Sequence, residues 1–153
     1  MPRVSVVIAA YNAAATLAGT VDSVLAQTFR DLEIICVDDG STDRTRAILS
    51  EYGDGVRVVD QPNSGPAAAR NAGARLSSGE YLAFLDADDL WMPTMLERTV
   101  ATLDSDPSLS LVYSNAAIAD SEGVALGTSL VGDGFDHAPS LRELLTRLWP
   151  IMP

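Results

Sequence analysis

The chain has 153 residues and a formal net charge of −11, and all ten of its basic residues are arginine. This acidic balance argues against nucleic-acid binding, where basic surface supplies most of the affinity. The absence of lysine excludes P-loop proteins and Schiff-base enzymes, because both require that residue. A single cysteine excludes an internal disulfide and a cysteine-based zinc cluster. An anionic ligand would therefore have to be met by arginine, a metal ion or a helix N-terminus.

The first apolar run, Val4–Ala9, continues directly into Tyr11 and Asn12 with no cleavage-site pattern, so we interpret it as a core strand and not as a secretory signal. No apolar run approaches the roughly 20 residues that a membrane span needs, so no transmembrane segment is expected. Cys36 lies inside an apolar run, which predicts a buried thiol. We expect a reducing compartment, and hence a cytoplasmic protein or one peripheral to a membrane.

Short apolar runs and helix-period segments then alternate along the chain. The predicted strands are Val4–Ala9, Leu32–Val37, Val56–Val59, Tyr81–Leu85 and Leu109–Tyr113. The predicted helices are Thr16–Gln27 with Leu17, Val21, Val24 and Leu25 on its buried face, a helix capped by Ser41 or Thr42 that ends near Tyr52, Pro66–Leu76, and a helix from about Pro93 that carries Leu96, Val100 and Leu103. Further on, Ala116–Asp120 and Val124–Leu130 are predicted to form a hairpin, and Ser140–Glu143 to cap a last helix.

This alternation predicts an α/β fold with a mostly parallel sheet covered by helices. In such sheets, ligands bind beyond the carboxyl ends of the strands. Three polar clusters follow predicted strands: Tyr11-Asn12, Asp38-Asp39 and Asp86–Asp89. One shared site would explain all three.

The third cluster places Asp86, Asp88 and Asp89 directly after an apolar run that we interpret as a buried strand. Carboxylates this close repel one another, and a hard cation with oxygen ligands would relieve that repulsion. Alternation would point Asp86 and Asp88 to one side, while Ala87 leaves room for a ligand. The simpler alternative is a solvated turn, with Asp89 as the cap of the following helix.

Two further side chains are candidates for the same site. Asp38 is expected to be structural, in an Asx turn, whereas Asp39 could accept the ring N–H of a uracil-like base. Arg70 lies in a segment of small residues, where it could contact a phosphate or a base, although a solvated helix arginine is the usual case. His137, the single histidine, is expected to lie exposed in a loop.

Four segments, in order and spacing, resemble the inverting glycosyltransferases of family 2, which have the GT-A fold. They are Val6–Asn12, Val37–Asp43, Asn63–Gly73 and Phe84–Asp89. The resemblance covers roughly the first hundred residues. It implies a three-layer, Rossmann-like GT-A nucleotide-diphospho-sugar transferase fold, here truncated, within a single domain. Residues 1–115 would be the donor-binding core, and residues 116–153 the start of an incomplete acceptor-side region.

The resemblance also implies roles for individual residues. Donor-binding positions would be Ala10, Tyr11, Asn12, Asp39, Gly65, Arg70, Asp86, Ala87 and Asp88. The backbone at Ala10 and Tyr11 and the Asp39 carboxylate would hold the base of a nucleotide-diphosphate sugar, with a UDP-sugar favoured. Asp86-Ala87-Asp88 looks like the family's DXD element: Asp88 would ligate Mn²⁺ or Mg²⁺, and Asp86 would hold the ribose or support the metal.

In the family, a carboxylate downstream of the DXD element deprotonates the acceptor hydroxyl. No residue up to 153 matches it confidently, so we expect donor binding by this chain and little or no transfer to the acceptor, a sugar, lipid-linked or other hydroxyl. One alternative is a non-catalytic nucleotide-sugar-binding module. A receiver-like signalling domain is disfavoured because the chain has no lysine, and a nucleotidyltransferase because it also lacks a Gly-rich loop after the first strand.

Overall fold

The computed structural model describes residues 1–120 and 123–129. The predicted helix from Ser140, His137 and the end of the hairpin at Leu130 lie outside the described residues. Contacts divide the chain into two units, Met1–Val112 and Tyr113–Pro153. The single domain, with its donor-binding core up to residue 115 and its acceptor-side region after it, stays a prediction.

The first unit alternates strands and helices, as predicted. Its strands are β1 (Val4–Ala10), β2 (Leu32–Asp38), β3 (Arg57–Asp60) and β4 (Tyr81–Asp86). Its helices are α1 (Leu17–Leu25), α2 (Thr45–Ser50), α3 (Pro66–Leu76) and α4 (Met95–Ser105), with a short 3₁₀ turn at Gly53–Gly55. All pairings in the sheet are parallel, and the strand order is β3-β2-β1-β4. The predicted α/β class with a parallel sheet is confirmed.

Two apolar clusters, one on each face of the sheet, explain the three layers. On one face, Val6 and Ile8 of β1 pack in a cluster that includes Leu17 and Val21 of α1 and Leu96 of α4. Alternate residues of the same strand face the other way. There, Val7, Ile35 and Val37 pack against Ala69 of α3. Central strands buried on both faces read as continuous apolar runs, which is why β1 and β2 were easy to predict.

Strand β4 corrects one expectation. It was predicted as a buried strand, but within the described residues it is the edge strand of the sheet. Leu82 and Phe84 are 44% and 47% exposed, whereas Leu85 is buried. The alternate side chains of Tyr81, Ala83 and Leu85 lie in or against the core, so only one face of β4 is covered. Among the described residues, no strand pairs with the outer edge of β4.

Three other expectations were wrong. Leu109–Tyr113 forms no strand, and its Leu111 side chain is exposed. Leu25, predicted to lie on the buried face of α1, is exposed at the last turn of that helix. Helix α2 begins only at Thr45, because the hydroxyl of Ser41 and the backbone of Thr42 bond to the loop after β1.

In the second unit, β5 (Ala117–Ala119) and β6 (Ala125–Ser129) pair antiparallel, which confirms the predicted hairpin. Gly123 takes a φ of 79° in the turn, a conformation that glycine adopts without a steric penalty. Across residues 1–120 and 123–129, no helix combines the length and the apolar character needed to cross a membrane.

Candidate functional site

The carboxyl ends of three parallel strands meet at one edge of the sheet. The strand register pairs Ala10 at the end of β1 with Asp38, and its neighbour Ala9 with Asp86. Just past the strands, the Asp39 N–H donates to the Ala10 carbonyl at 2.8 Å. The structure thus brings together the three polar clusters that the sequence placed at strand ends.

The loop after β1 is fastened to the loop after β2. Asn12 adopts a φ of 50°, a left-handed conformation that asparagine tolerates better than most residues. Its N–H donates to the Ser41 hydroxyl at 3.0 Å, and its Oδ1 accepts from the Thr42 N–H at 2.8 Å. Asn12 therefore holds the two loops together through its main chain and its side chain. The neighbouring Tyr11 is 50% exposed.

The two carboxylates after β2 are both buried. Asp38 Oδ1 accepts from the Ser41 N–H at 3.0 Å, which confirms its structural role. Asp39, only 2% exposed, accepts three hydrogen bonds: from Gln61 Nε2 (2.7 Å) and the Ser64 N–H (2.9 Å) at Oδ1, and from the Gly65 N–H (2.8 Å) at Oδ2. Burial alone would raise the pKa of Asp39, but these hydrogen bonds outweigh it and hold the pKa below its ordinary value. Asp39 is therefore ionised, and it orders the loop that leads into α3.

Helix α3 begins at this loop and lies unusually close to the sheet. Gly65 takes a φ of 89° as its N-cap, and Pro66 occupies the first turn, as predicted. Farther along, a Cβ at Gly73 would clash with the Val7 side chain, so only glycine permits this approach. From the same helix, the Arg70 guanidinium forms an ion pair with the Asp86 carboxylate at the end of β4. Two predicted site residues thus bond to each other.

The segment Asp86–Asp89, which we call the acidic loop, has exposed side chains at Asp86, Asp88 and Asp89. Burial first, and then the charges of Asp88 and Asp86, raise the pKa of Asp89. The Asp89 N–H closes a turn on the Asp86 carbonyl at 3.1 Å, so Asp89 does not cap α4, which begins at Met95. Ala87 does not leave room for a ligand, because its side chain packs into the core.

One set of site-forming residues was missed from the sequence. Four polar side chains of α1 and its ends contact the main chain of the acidic loop and of the segment after it: Thr16, Thr20, Ser23 and Gln27. Their spacing of four, three and four residues puts them on one face of a helix. A row of polar residues at helical spacing, beside the apolar face of the same helix, could have been recognised in the sequence as a second contact surface.

The carboxylates suit a hard divalent cation. Among residues 1–120 and 123–129, no three His, Cys, Asp or Glu side chains form a ready-made metal cage. Mg²⁺ and Mn²⁺ at phosphate sites do not need such a cage. There the ion is usually held by one or two carboxylates, and substrate phosphates and water supply the remaining oxygens. Asp86 and Asp88 fit that donor set.

A parallel sheet with buried and exposed carboxylates at its carboxyl edge, and with an arginine and the start of a helix beside them, defines an α/β domain whose candidate ligand site lies at that edge. The family model "Glycosyl transferase family 2" matches residues 5–145, and the chain belongs to that family.

Relatives and solved structures agree. The chain is 38% identical over 149 residues to the chondroitin synthase of Escherichia coli, covering 95% of this chain and 21% of that protein. It superposes on TarS of S. aureus in complex with UDP with a TM-score of 0.64 and 31% identity, over 69% of this chain and 32% of that one. For the mannosyltransferase PcManGT of Pyrobaculum calidifontis in complex with GDP-Man and Mn²⁺, the TM-score is 0.66 and the identity 30%, over 71% and 34% of the two chains. These likenesses confirm the GT-A fold. The chain spans about half the length of one relative and as little as 15% of another.

Proposed function

We propose that this chain binds a nucleotide-diphosphate sugar, with a UDP-sugar favoured, across the carboxyl edge of its sheet together with Mn²⁺ or Mg²⁺. The observation that carries the proposal is the convergence of Asp39, Arg70, Asp86 and Asp88 on that edge, from two strand ends and one helix. Family membership supports it. So do the complexes of the two solved neighbours, TarS with UDP and PcManGT with GDP-Man and Mn²⁺.

The base would lie against the loop after β1, contacted by the backbone of Ala10 and Tyr11. Asp39 supports this placement because it is ionised and its Oδ2 accepts one protein hydrogen bond, which leaves acceptor capacity for a ring N–H. The same carboxylate also holds Gln61, Ser64 and Gly65 in place. Asp39 would therefore act on the base directly and through the loop that it orders.

The diphosphate would lie between Arg70 and the acidic loop. An exposed ion pair such as Arg70–Asp86 contributes little stability, so its opening costs little. When a diphosphate and a divalent ion arrive, Arg70 could turn to a phosphate oxygen while Asp86 turns to the ribose or the metal. Asp88 would ligate the ion. The divalent ion and Arg70 would then offset the negative charge of the diphosphate in an otherwise acidic site.

The parent protein would transfer the sugar to a hydroxyl acceptor, whether a sugar, a lipid-linked acceptor or another alcohol, with inversion at the anomeric carbon. The divalent ion would stabilise the negative charge of the departing diphosphate. We assign deprotonation of the acceptor hydroxyl to a carboxylate of the acceptor-binding region. The buried thiol of Cys36 favours a reducing, cytoplasmic location.

A non-catalytic nucleotide-sugar-binding module is the second candidate. It rests on the same edge, since donor binding needs none of the acceptor-side groups. An assay of sugar transfer by the parent protein distinguishes the two functions. If the protein is an enzyme, the wild type transfers sugar and Asp88→Asn does not; if it is a binding module, neither protein transfers sugar.

Calorimetric titration of variants tests the site. Asp88→Asn should weaken Mn²⁺-dependent UDP binding by about 10- to 100-fold, because it removes an anionic metal ligand. Asp54→Asn is the matched control, since it removes one exposed carboxylate from the 3₁₀ turn without touching the sheet edge. Equal affinities for the two variants, in folded samples, would remove Asp88 from the metal site.

A further inference from the structure

One face of α1, continued at both ends of the helix, carries a polar stripe, which we define as Thr16, Thr20, Ser23 and Gln27. The helix also packs an apolar face against the core through Leu17, Val21 and Val24. Thr20 and Gln27 are fully buried. Buried polar groups are costly unless they are hydrogen-bonded, so the partners of this stripe show what it holds in place.

The first two residues of the stripe bond to the acidic loop itself. Thr16 Oγ1 and Thr20 Oγ1 both donate to the Ala87 carbonyl, at 2.8 Å and 2.9 Å. A carbonyl oxygen has two lone pairs, and here both accept from α1. Ala87 stands between Asp86 and Asp88, so its peptide groups set where those two carboxylates project.

The other two residues hold the segment that follows. Ser23 Oγ accepts from the Trp91 N–H at 3.1 Å. Gln27 Nε2 donates to the Met92 carbonyl at 2.8 Å, and its Oε1 accepts from the Leu96 N–H at 2.9 Å. The stripe thereby bonds to the main chain at three residues between β4 and α4, and at Leu96 in the first turn of α4.

Other restraints on this segment are few. Residues 87–94 form no helix or strand, although Ala87 lies in the core, Trp91 packs against it, and the Pro93 carbonyl accepts from the Thr28 N–H at 2.8 Å. The exposed carboxylates at residues 86, 88 and 89 repel one another and favour a more open loop. Hydrogen bonds from a packed helix oppose that repulsion.

We propose that the polar stripe of α1 is a positioning device, with Thr20 at its centre, that holds the acidic loop in the geometry in which it binds a metal and a diphosphate. Thr20 would act through the Ala87 carbonyl and touch no ligand. The inference concerns the same site as the proposed function and rests on it for its functional part. Its structural part, restraint of the loop, stands apart from any ligand.

The test uses a near-isosteric pair of substitutions in the 153-residue chain. Thr20→Val keeps the shape and removes the donor to Ala87, whereas Thr20→Ser keeps the donor. Tyr52→Phe is the matched control: it also removes a hydroxyl bonded to α1, at the Ala18 carbonyl and Asp22, but on the side that faces away from the acidic loop. Thermal unfolding of all three shows how much general stability each loses.

Two measurements then separate positioning from general stability. In the ligand-free protein, Thr20→Val should speed hydrogen exchange at the amides of Asp89 and Trp91 relative to Tyr52→Phe. In titrations, it should weaken UDP binding in Mn²⁺ by about tenfold and leave the weaker, metal-free UDP binding unchanged. Thr20→Ser should keep the exchange rates of the loop amides and the affinity for UDP in Mn²⁺ close to those of the wild type.

Each outcome has a meaning. If Thr20→Val and Tyr52→Phe exchange alike in the loop, the positioning inference is overturned. If the wild type binds no UDP but Thr20→Val still loosens the loop, the proposed function fails and the structural part of the inference stands. Should Thr20→Val not fold, Ser23→Ala, which removes the acceptor of the Trp91 N–H, undergoes the same two measurements and carries the decision.

Discussion

The closeness of α3 to the sheet makes a sharp stability prediction at Gly73. A Cβ built on this residue would overlap Val7 Cγ1 and would stand 3.2 Å from Val7 Cγ2 and 3.3 Å from Val37 Cγ2. Both neighbours are fully buried, β-branched and in central strands, so neither side chain can rotate away without a new clash. Gly73→Ala should therefore push α3 away from β1.

Two effects of opposite sign decide the magnitude. Alanine is favoured over glycine inside a helix by about 0.8–1 kcal/mol. Overpacking a filled core costs about 1–3 kcal/mol. Gly73→Ala should thus lower the free energy of unfolding by up to about 2 kcal/mol, despite its better helix propensity.

Gly19 in α1 is the matched control. It is exposed, and a Cβ there would meet only Leu90 Cδ2, at an ordinary 3.5 Å. Gly19→Ala should raise the free energy of unfolding by about 0.5–1 kcal/mol. Because both variants make the same chemical change in a helix, the difference between them isolates the packing cost at Gly73.

Urea unfolding followed by circular dichroism measures all of these values. A double-mutant cycle adds a direct test: Val7→Ala should cost less in the Gly73→Ala background than in the wild type, with a coupling of about 0.5–3 kcal/mol. If Gly73→Ala stabilises the protein as much as Gly19→Ala does, the close approach of α3 is refuted. That result would also contradict the placement of Arg70 beside Asp86, because this placement depends on the close approach of α3.

Three further outcomes follow from buried groups. Burial, and secondarily the charge of Asp38, raise the pKa of Cys36 to about 12, so the native thiol should resist a thiol reagent at pH 8 and react only as fast as the protein unfolds. The pKa of Glu33 is lowered because hydrogen bonds from Ser5 and Ser78 outweigh burial, so its contribution to stability is present above about pH 4 and lost as pH falls through the lowered pKa. Denaturant unfolding against pH should show this loss, and Glu33→Gln should flatten it; an unchanged profile would contradict the assignment. Asp39→Asn replaces an acceptor with a donor that faces an N–H, so its melting temperature should fall and amide exchange at Gly65 should quicken.

Local patterns predicted the sheet and the location of the site well. The runs at β1 and β2 are mostly apolar because both strands are covered on two faces; Ser5 and Glu33 are the polar residues ahead of the strand ends. Polar residues directly after them had to emerge at one edge, because parallel strands share a direction. The same argument placed Asp39 and Asp86 at the carboxyl ends of β2 and β4, the two strands that flank β1.

Other features depend on partners that no local pattern reveals. Leu109–Tyr113 has the composition of a strand but pairs with no strand among the described residues. Ser41 has the chemistry of a helix cap, yet its hydroxyl accepts from Asn12, nearly thirty residues away. Arg70 was predicted to face a ligand, and its bond to Asp86 became visible only in three dimensions. For Ser41 and Arg70 a long-range contact overrode a reasonable local preference, whereas Leu109–Tyr113 lacked the partner that a strand needs.

The central claim is metal-dependent binding of a nucleotide diphosphate at the carboxyl edge. Calorimetric titration of the folded wild-type chain with UDP, once with Mn²⁺ and once with EDTA, tests it most directly. We predict saturable one-to-one binding in Mn²⁺ and a loss of affinity of at least about tenfold in EDTA. Equal binding under both conditions would contradict the metal site, and no binding under either would contradict the proposed function.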